Sequence, residues 1–445
     1  MSNVSLATMQ SAPHAPSIGL SEPNEQAMNH ALEPVATPST HAAAAERANQ
    51  RNALLAGFLG WTLDAFDFFI LVMTLDAVAK DLGRTRPEIA LTLTASLAMR
   101  PLGAVIFGLM ADRYGRRLPL IVNIIFYSLI EVLSGLAPDY KSFLALRLLF
   151  GIGMGGEWGV GASLAMEAVP KRWRGLLSGV LQEGYALGYL LAALAYWTIF
   201  PAYGWRVMFF IGGLPALLSL FVRAKVKESE AWQEHKLSDW SSYRRTVGAH
   251  TRLFLYLVLL IAIMGLMSHG TQDMYPTFLQ QQRHFTPREA AVITMVSMVG
   301  AIAGGLLFGF VSDRIGRRRA MAIAACGAVL IVPLWVFAPS TPLIVLGAFC
   351  MQFMVQGAWG VVPAHLNELT PGPLRGFFPG FAYQLGVLCS SSVTYIEALL
   401  GEHMTYAVAM GTLAAGVSLA AALAVSLGPE AKGVSFRKTA NTDGP

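Results

Sequence analysis

Gly108-Leu-Met-Ala-Asp-Arg-Tyr-Gly-Arg-Arg117 returns as Gly309-Phe-Val-Ser-Asp-Arg-Ile-Gly-Arg-Arg318, displaced by 201 residues (313 − 112). The same shift relates Trp158 to Trp359, Glu167 to Glu368, Pro170 to Pro371, Arg174 to Arg375 and Gly175 to Gly376. One register held over so many positions marks a duplication, and a unit this long, repeated once, is no solenoid repeat. Apolar copies of that size fit two homologous halves of a membrane protein, with the working site between them.

Composition agrees. Of 445 residues, 54% are hydrophobic and 13% charged, and mean hydropathy is +0.51, whereas soluble domains carry about one quarter charged residues. The net charge of +5 comes from basic residues clustered in short loops, so topology explains it and nucleic-acid binding does not. Cys326, Cys350 and Cys389 lie in apolar stretches without metal-ligand spacing and read as small packing residues. No metal site and no cofactor is expected.

A membrane helix needs about 20 mainly apolar residues. Twelve stretches qualify: 53–78, 88–111, 118–136, 141–168, 175–199 and 207–223, then 252–279, 288–311, 319–338, 341–368, 376–399 and 404–427. The expected organisation is therefore a disordered tail over 1–50, a six-helix bundle over 51–223, a polar linker over 224–251, a second six-helix bundle over 252–427 and a tail over 428–445. The fold class is an all-α membrane protein, twelve transmembrane helices in two pseudo-symmetric bundles. Arg113, Arg116, Arg117, Lys171, Arg172, Arg174, Arg314, Arg317, Arg318 and Arg319 fall on one side of this layout. The excess of basic residues makes that side cytoplasmic, with both termini on it.

The duplicated Asp-Arg loops after spans 2 and 8 resemble the signature of the major facilitator superfamily, and Arg147 with Gly151, Gly153 and Gly155 is similar to its second motif. Trp61-Thr-Leu-Asp-Ala-Phe-Asp-Phe-Phe69, Gly155-Gly-Glu-Trp-Gly159 and Ser268-His-Gly-Thr-Gln-Asp-Met-Tyr-Pro-Thr277 resemble the proton symporters of sialic acid and of lactate or pyruvate. The resemblance runs from about 51 to 427. It implies the facilitator fold and a carboxylate cargo. Family members that carry short monocarboxylates show Asn where this chain has Gly265 and Val387, so two polar groups are missing from the implied substrate site.

Charges inside the spans are the functional candidates, because each costs roughly 2.5–3.5 kcal/mol at a helix centre on insertion scales. Asp64 and Asp67 share a face of span 1 and suit proton coupling, as do Glu157 and Asp273. Arg100, twelve residues before Asp112, sits roughly 18 Å up its helix. Arg100 or Arg147 is the expected anchor for an organic anion, through the planar fork of a guanidinium. His269, Gln272, Tyr383 and Gln384 complete the expected substrate site, and Tyr185 and Tyr189 shape it. Glu183 and Gln384 are repeat mates (183 + 201 = 384). Asp76, Glu131 and Glu397 fall near helix ends and are expected at solvated interfaces. On the cytosolic side, Glu167 with Arg174 and Glu368 with Arg375 bracket equivalent turns. With Asp112, Arg116, Asp313 and Arg317 they are expected to form a charge-assisted gate.

These readings converge on a monomeric secondary transporter of a bacterial inner membrane. It would take up an organic anion, such as a carboxylate, with protons, powered by the proton gradient alone. Proton-driven export on the same fold is the first rival, and a non-transporting membrane sensor the second. No Ser/His/Asp or metal constellation points to an enzyme.

Overall fold

The structure, a computed structural model, describes residues 40–236, 239–391, 396, 400 and 403–436; Glu397 lies outside them. The chain divides into a short unit, Met1–Arg47, described only as helix from Thr40, and a unit Ala48–Pro445 that contains the candidate site. Among the described residues there is no strand.

The first half comprises α1 (Thr40–Asp81), α2 (Arg86–Tyr114), α3 (Arg117–Gly135), α4 (Tyr140–Ala168), α5 (Arg174–Gln182), α6 (Gly184–Thr198), α7 (Phe200–Ile211) and α8 (Ala216–Lys225). Two short helices, α9 (Glu230–His235) and α10 (Trp240–Ala249), follow. The second half comprises α11 (Thr251–Gln272), α12 (Tyr275–Gln281), α13 (Pro287–Ile315), α14 (Arg317–Phe337), α15 (Thr341–Leu369), α16 (Phe378–Ser390) and α17 (Tyr406–Leu427). Ten helical stretches among the described residues are long and apolar enough to cross a membrane, with Phe200–Val222, α7 running into α8, counted as one. Of the twelve expected spans, the fifth breaks at Glu183 between α5 and α6, and the eleventh is described mainly as α16. Helix begins at Thr40, inside the stretch expected as tail, where His41-Ala-Ala-Ala-Ala-Glu46 supplies strong helix formers.

The duplication is visible atom by atom. Thr85 and Thr286, repeat mates, each cap a helix by accepting a hydrogen bond from the backbone of Glu88 or Glu289, and each glutamate returns to the threonine backbone at 2.8 and 2.9 Å. α2 packs on α4 as α13 packs on α15. The signature glycines have a conformational cause: Gly115 and Gly316 turn the chain at φ 98° and 103°, a region that glycine enters without steric cost.

The described part of the linker is largely helical as well as polar. Asp239 caps α10 by accepting from the Ser242 N–H at 2.5 Å, and that bond holds its carboxyl below the usual carboxylate range.

Candidate functional site

The halves meet on the side of the Asp-Arg loops. There α5 lies against α13 and α15, and α16 against α2 and α4. The approach is so close that a methyl group at Gly159 would stand 2.5 Å from the Cα of Gly380, and one at Gly179 would stand 2.5 Å from the carbonyl oxygen of Gly305. On the opposite side the pairs Arg84–Glu88, Arg86–Asp76 and Arg206–Asp81 stay within the first half. The loop side is closed.

All eight residues expected at the gate take part in that closure, but with partners exchanged. Glu167 and Arg174 were expected to bracket one turn together, and Glu368 and Arg375 the other. Instead Arg174 Nη1 reaches Glu368 Oε1 of the second half at 3.0 Å, and Arg375 Nη1 reaches Glu167 Oε1 of the first at 3.4 Å. Arg116 holds Asp112 at 2.7 Å and Glu167 at 3.1 Å, while Arg317 holds Asp313 and Glu368, both at 2.8 Å. Each aspartate also crosses the seam. Asp112 accepts from Gly376 N at 2.7 Å, and Asp313 from Gly175 N at 2.8 Å and Leu176 N at 3.0 Å. A helix N-terminus favours an anion, so α5 is capped from the other half.

Four further residues join this network of contacts without having been singled out in the sequence. Glu228 accepts from the backbone of Arg116 and Arg117, and Glu430 from that of Arg318. The Tyr243 hydroxyl donates to Asp112 Oδ2 at 2.9 Å, and burial together with that carboxylate pushes its phenol up. Phe436, 3% exposed, lies between the guanidiniums of Arg174 and Arg375, at 3.7 and 3.9 Å from ring centroid to Cζ. Only the pair Glu228 and Glu430 carried a signal, standing 202 residues apart (430 − 228) after the last span of each half.

Above the gate, the buried charges of the first half form one cluster. Arg147 is 1% exposed. Its Nη2 is 2.6 Å from Glu131 Oε2, and its guanidinium lies over Phe143, Phe150 and Phe209. This corrects two expectations. Arg147 is committed through Nη2 to Glu131 and Ser134 inside its own half, with only its Nε left without an acceptor, and Glu131 is a fully buried ion-pair member rather than a solvated helix end. Glu157 does not neutralise Arg147; its Oε2 accepts from Asn123 at 3.2 Å. A methyl group at Gly212 would meet both Glu131 Cγ and Asp67 Oδ1, so those two acids are neighbours. Both oxygens of Asp64 and of Asp67 are buried without a hydrogen-bond partner.

Arg100 differs from Arg147. It is 7% exposed, and its Nε and Nη2 are buried with no acceptor. Its backbone oxygen abuts Gly155, whose own carbonyl receives Gln384 Nε2 at 3.5 Å across the seam. Asp64, Tyr185 and Tyr383 lie within its electrostatic reach. Around it gather rings from both halves: Trp61 stacks on Tyr185 at 5.6 Å, Tyr383 on Trp158 at 4.0 Å, and Trp359 meets Tyr383 edge-on at 5.9 Å. His269 Nδ1 is 3.3 Å from Asp273 Oδ2, with side chains 40% and 36% exposed, and Asp273 is within electrostatic reach of Tyr185. Gln272 points elsewhere, its Nε2 donating to Gln352 Oε1 at 2.8 Å.

The cluster has no counterpart in the second half. At the 201-residue shift, Asp64, Asp67, Arg100, Glu131, Arg147 and Glu157 correspond to Gly265, Ser268, Ala301, Val332, Ala348 and Ala358.

The family model of the Major Facilitator Superfamily matches residues 57–393 and 274–437. The chain belongs to that family. Over 410 residues it is 32% identical to a probable 4-methylmuconolactone transporter of Cupriavidus pinatubonensis, covering 88% of this chain and 94% of that one. It is 31% identical to a sialic acid transporter of Escherichia coli, over 79% and 88% of the two chains. A carboxylic acid transporter homologue of Saccharomyces cerevisiae is 30% identical over 79% of this chain, and the match spans only 61% of the longer yeast protein. Among solved structures, the proton:xylose symporter XylE superposes with a TM-score of 0.69 at 18% identity, over 87% of this chain and 98% of the other. That likeness speaks for the fold. The relatives are transporters, not enzymes, and this facilitator is an integral multi-pass membrane protein.

Proposed function

We propose that this facilitator takes up an organic anion, of the carboxylate class, together with protons. The observation that carries the reading is Arg100: a buried guanidinium at the seam with two nitrogens lacking acceptors, beside an unpaired Asp64. A buried donor left unsatisfied is costly, and an anion removes that cost. Names among the relatives, a muconolactone, a sialic acid and a carboxylic acid transporter, support a carboxylate.

In the proposed cycle the closed loop side faces the cytoplasm of a bacterial inner membrane, where both termini lie, and the opposite side admits cargo and protons. Asp64, Asp67 and Glu157 exceed the positive charge that Arg100 can offer, since Arg147 is occupied by Glu131, so protons must neutralise the surplus. Asp273 with His269 provides a second titratable pair on the facing wall. The anion docks on Arg100 with Gln384 and Tyr383 nearby. Once the charges balance, the halves rock about the seam, the gate pairs part and the site opens to the cytoplasm. A monomer suffices, and the proton gradient is the only energy source.

The test is uptake by proteoliposomes of benzoate, lactate and N-acetylneuraminate, each under an imposed inside-alkaline gradient and without it. Gradient-dependent accumulation of at least one acid, lost in Arg100→Gln, is expected. Rates indifferent to the gradient would reduce the protein to a facilitator or exchanger.

A further inference from the structure

Deepening that reading, and resting on it, we propose that the seam takes a carboxylate with a flat π-bonded body, an aromatic or conjugated acid, in preference to a polyhydroxylated or short-chain one.

Three observations lead there. The first is the set of donors. Besides Arg100 Nε and Nη2, the indole Nε1 of Trp61 is buried without an acceptor, and Trp61 packs on Tyr185 and edge-on to Tyr383, the two rings within reach of Arg100. Trp61 and Arg100 thus both neighbour Tyr185 and Tyr383 while holding unsatisfied donors, which a carboxylate head entering among these rings would satisfy.

The second is what continues from that spot. Phe69 meets Tyr185 at 5.3 Å and Tyr189 at 4.8 Å, both edge-on. Tyr185 and Tyr189 are the uncovered members of the set, 37% and 43% exposed. They lie on α6, which extends away from the closed loop side, so the rings leading off from Arg100 still have surface to offer. Rings stacked or set edge to face reward another ring beyond its buried area.

The third is how few spare hydroxyl readers the facing wall offers among its described groups. The amides of α11 and α15 donate to neighbours: Gln272 to Gln352, Gln352 to Thr271, and Gln356 to the Ser268 hydroxyl at 3.1 Å. Only Gln384 on α16 keeps a buried carbonyl oxygen without a partner, one acceptor against the several hydroxyls of a sugar acid. Gly265 packs against Ser390, and neither it nor Val387 brings a polar side chain. A sugar acid desolvated here would leave hydroxyls unpaired, which a site penalises heavily, whereas a flat hydrocarbon body loses nothing.

Titration calorimetry on the full chain in lipid nanodiscs tests this with benzoate, cyclohexanecarboxylate, lactate, N-acetylneuraminate and benzyl alcohol. Benzoate is expected to bind at least about fivefold tighter than its saturated counterpart, and lactate and N-acetylneuraminate more weakly still. Tyr185→Leu should bring the benzoate to cyclohexanecarboxylate ratio close to one, while Tyr185→Phe keeps it. Equal affinity for the two ring acids, or tighter Arg100-dependent binding of lactate or N-acetylneuraminate, overturns the flat-acid proposal and leaves the carboxylate reading standing. Benzyl alcohol binding as tightly as benzoate, or no acid binding at all, overturns both.

Discussion

Arg174 of the first half and Glu368 of the second are joined at 3.0 Å, and the return bond from Arg375 to Glu167 makes the closed gate a crossed pair. Neither bond can survive separation of the halves. In Arg375→Ala, Glu167 keeps Arg116, so the bundle should stay folded while the closed state loses one of its two crossed ion pairs. About 1.4 kcal/mol corresponds to tenfold in population, and a shift of that order toward the loop-side-open state is expected. Ser178 of α5 is buried against α15 at the seam, donating to the Gly360 carbonyl at 2.8 Å, so labelling of Ser178→Cys by an impermeant maleimide, in a background without Cys326, Cys350 and Cys389, reads it. An unchanged labelling rate would mean that the crossed pair does not hold the gate.

The aromatic bridge of Phe436 should act in the same direction. A desolvated cation–π contact is worth about 2 kcal/mol, and Phe436 makes two, one to each half. Phe436→Ala is expected to raise Ser178→Cys labelling at least about tenfold, and Phe436→Trp to restore protection. Combined with Arg375→Ala, the effects should be less than additive, because both act on one guanidinium. Full additivity would argue that the terminal segment works independently of the crossed pairs.

Gly159 and Gly380 leave no room for a side chain between α4 and α16. Gly159→Leu should therefore prevent the loop side from closing while sparing the interior of each half. The expected result is transport reduced more than about a hundredfold, about 2.7 kcal/mol, with Ser178→Cys permanently labelled and thermal stability nearly unchanged. A cooperative loss of folding instead would place this contact in the bundle core rather than at a moving seam.

The two buried arginines should separate cleanly in experiment. Glu131→Gln leaves the Arg147 guanidinium without its counter-ion and is expected to destabilise the protein by about 3–5 kcal/mol. A matched Arg147→Gln in the same chain should recover much of it, measured by thermal unfolding in detergent. Arg100→Gln should do the reverse, abolishing carboxylate binding with little change in unfolding temperature. If removing Arg147 abolished binding in a protein that remained as stable, the assignment of anchors would be inverted.

The fold was readable because it is periodic: a constant 201-residue register, apolar stretches of spanning length, and glycines at turns that only glycine enters easily. The residues of the crossed ion-pair network stood out for the same reason, being duplicated. Their partners were not. Glu167 and Arg174 are seven residues apart in sequence, and nothing local indicates that each reaches across to the other half, since that depends on how two bundles meet. Glu131 looked terminal because it falls near the end of span 3, yet the depth of a residue in a bundle is set by the neighbours packed around it, here α4 and its Arg147. Phe436 sits beyond the last apolar stretch, where hydropathy carries no signal, and its burial comes from two guanidiniums supplied by distant turns. Gln272 shared the right helix with His269 but donates to Gln352, a choice made by α15.

The six ionisable positions above the gate have uncharged mates at the same shift, although the ion-pair network at the loops is twofold. Duplication thus preserved the mechanical parts in both copies and the anion-holding charges in a single copy. A chimera built from two second halves would keep the His269–Asp273 pair twice over and be expected to open and shut, and yet to hold no organic anion.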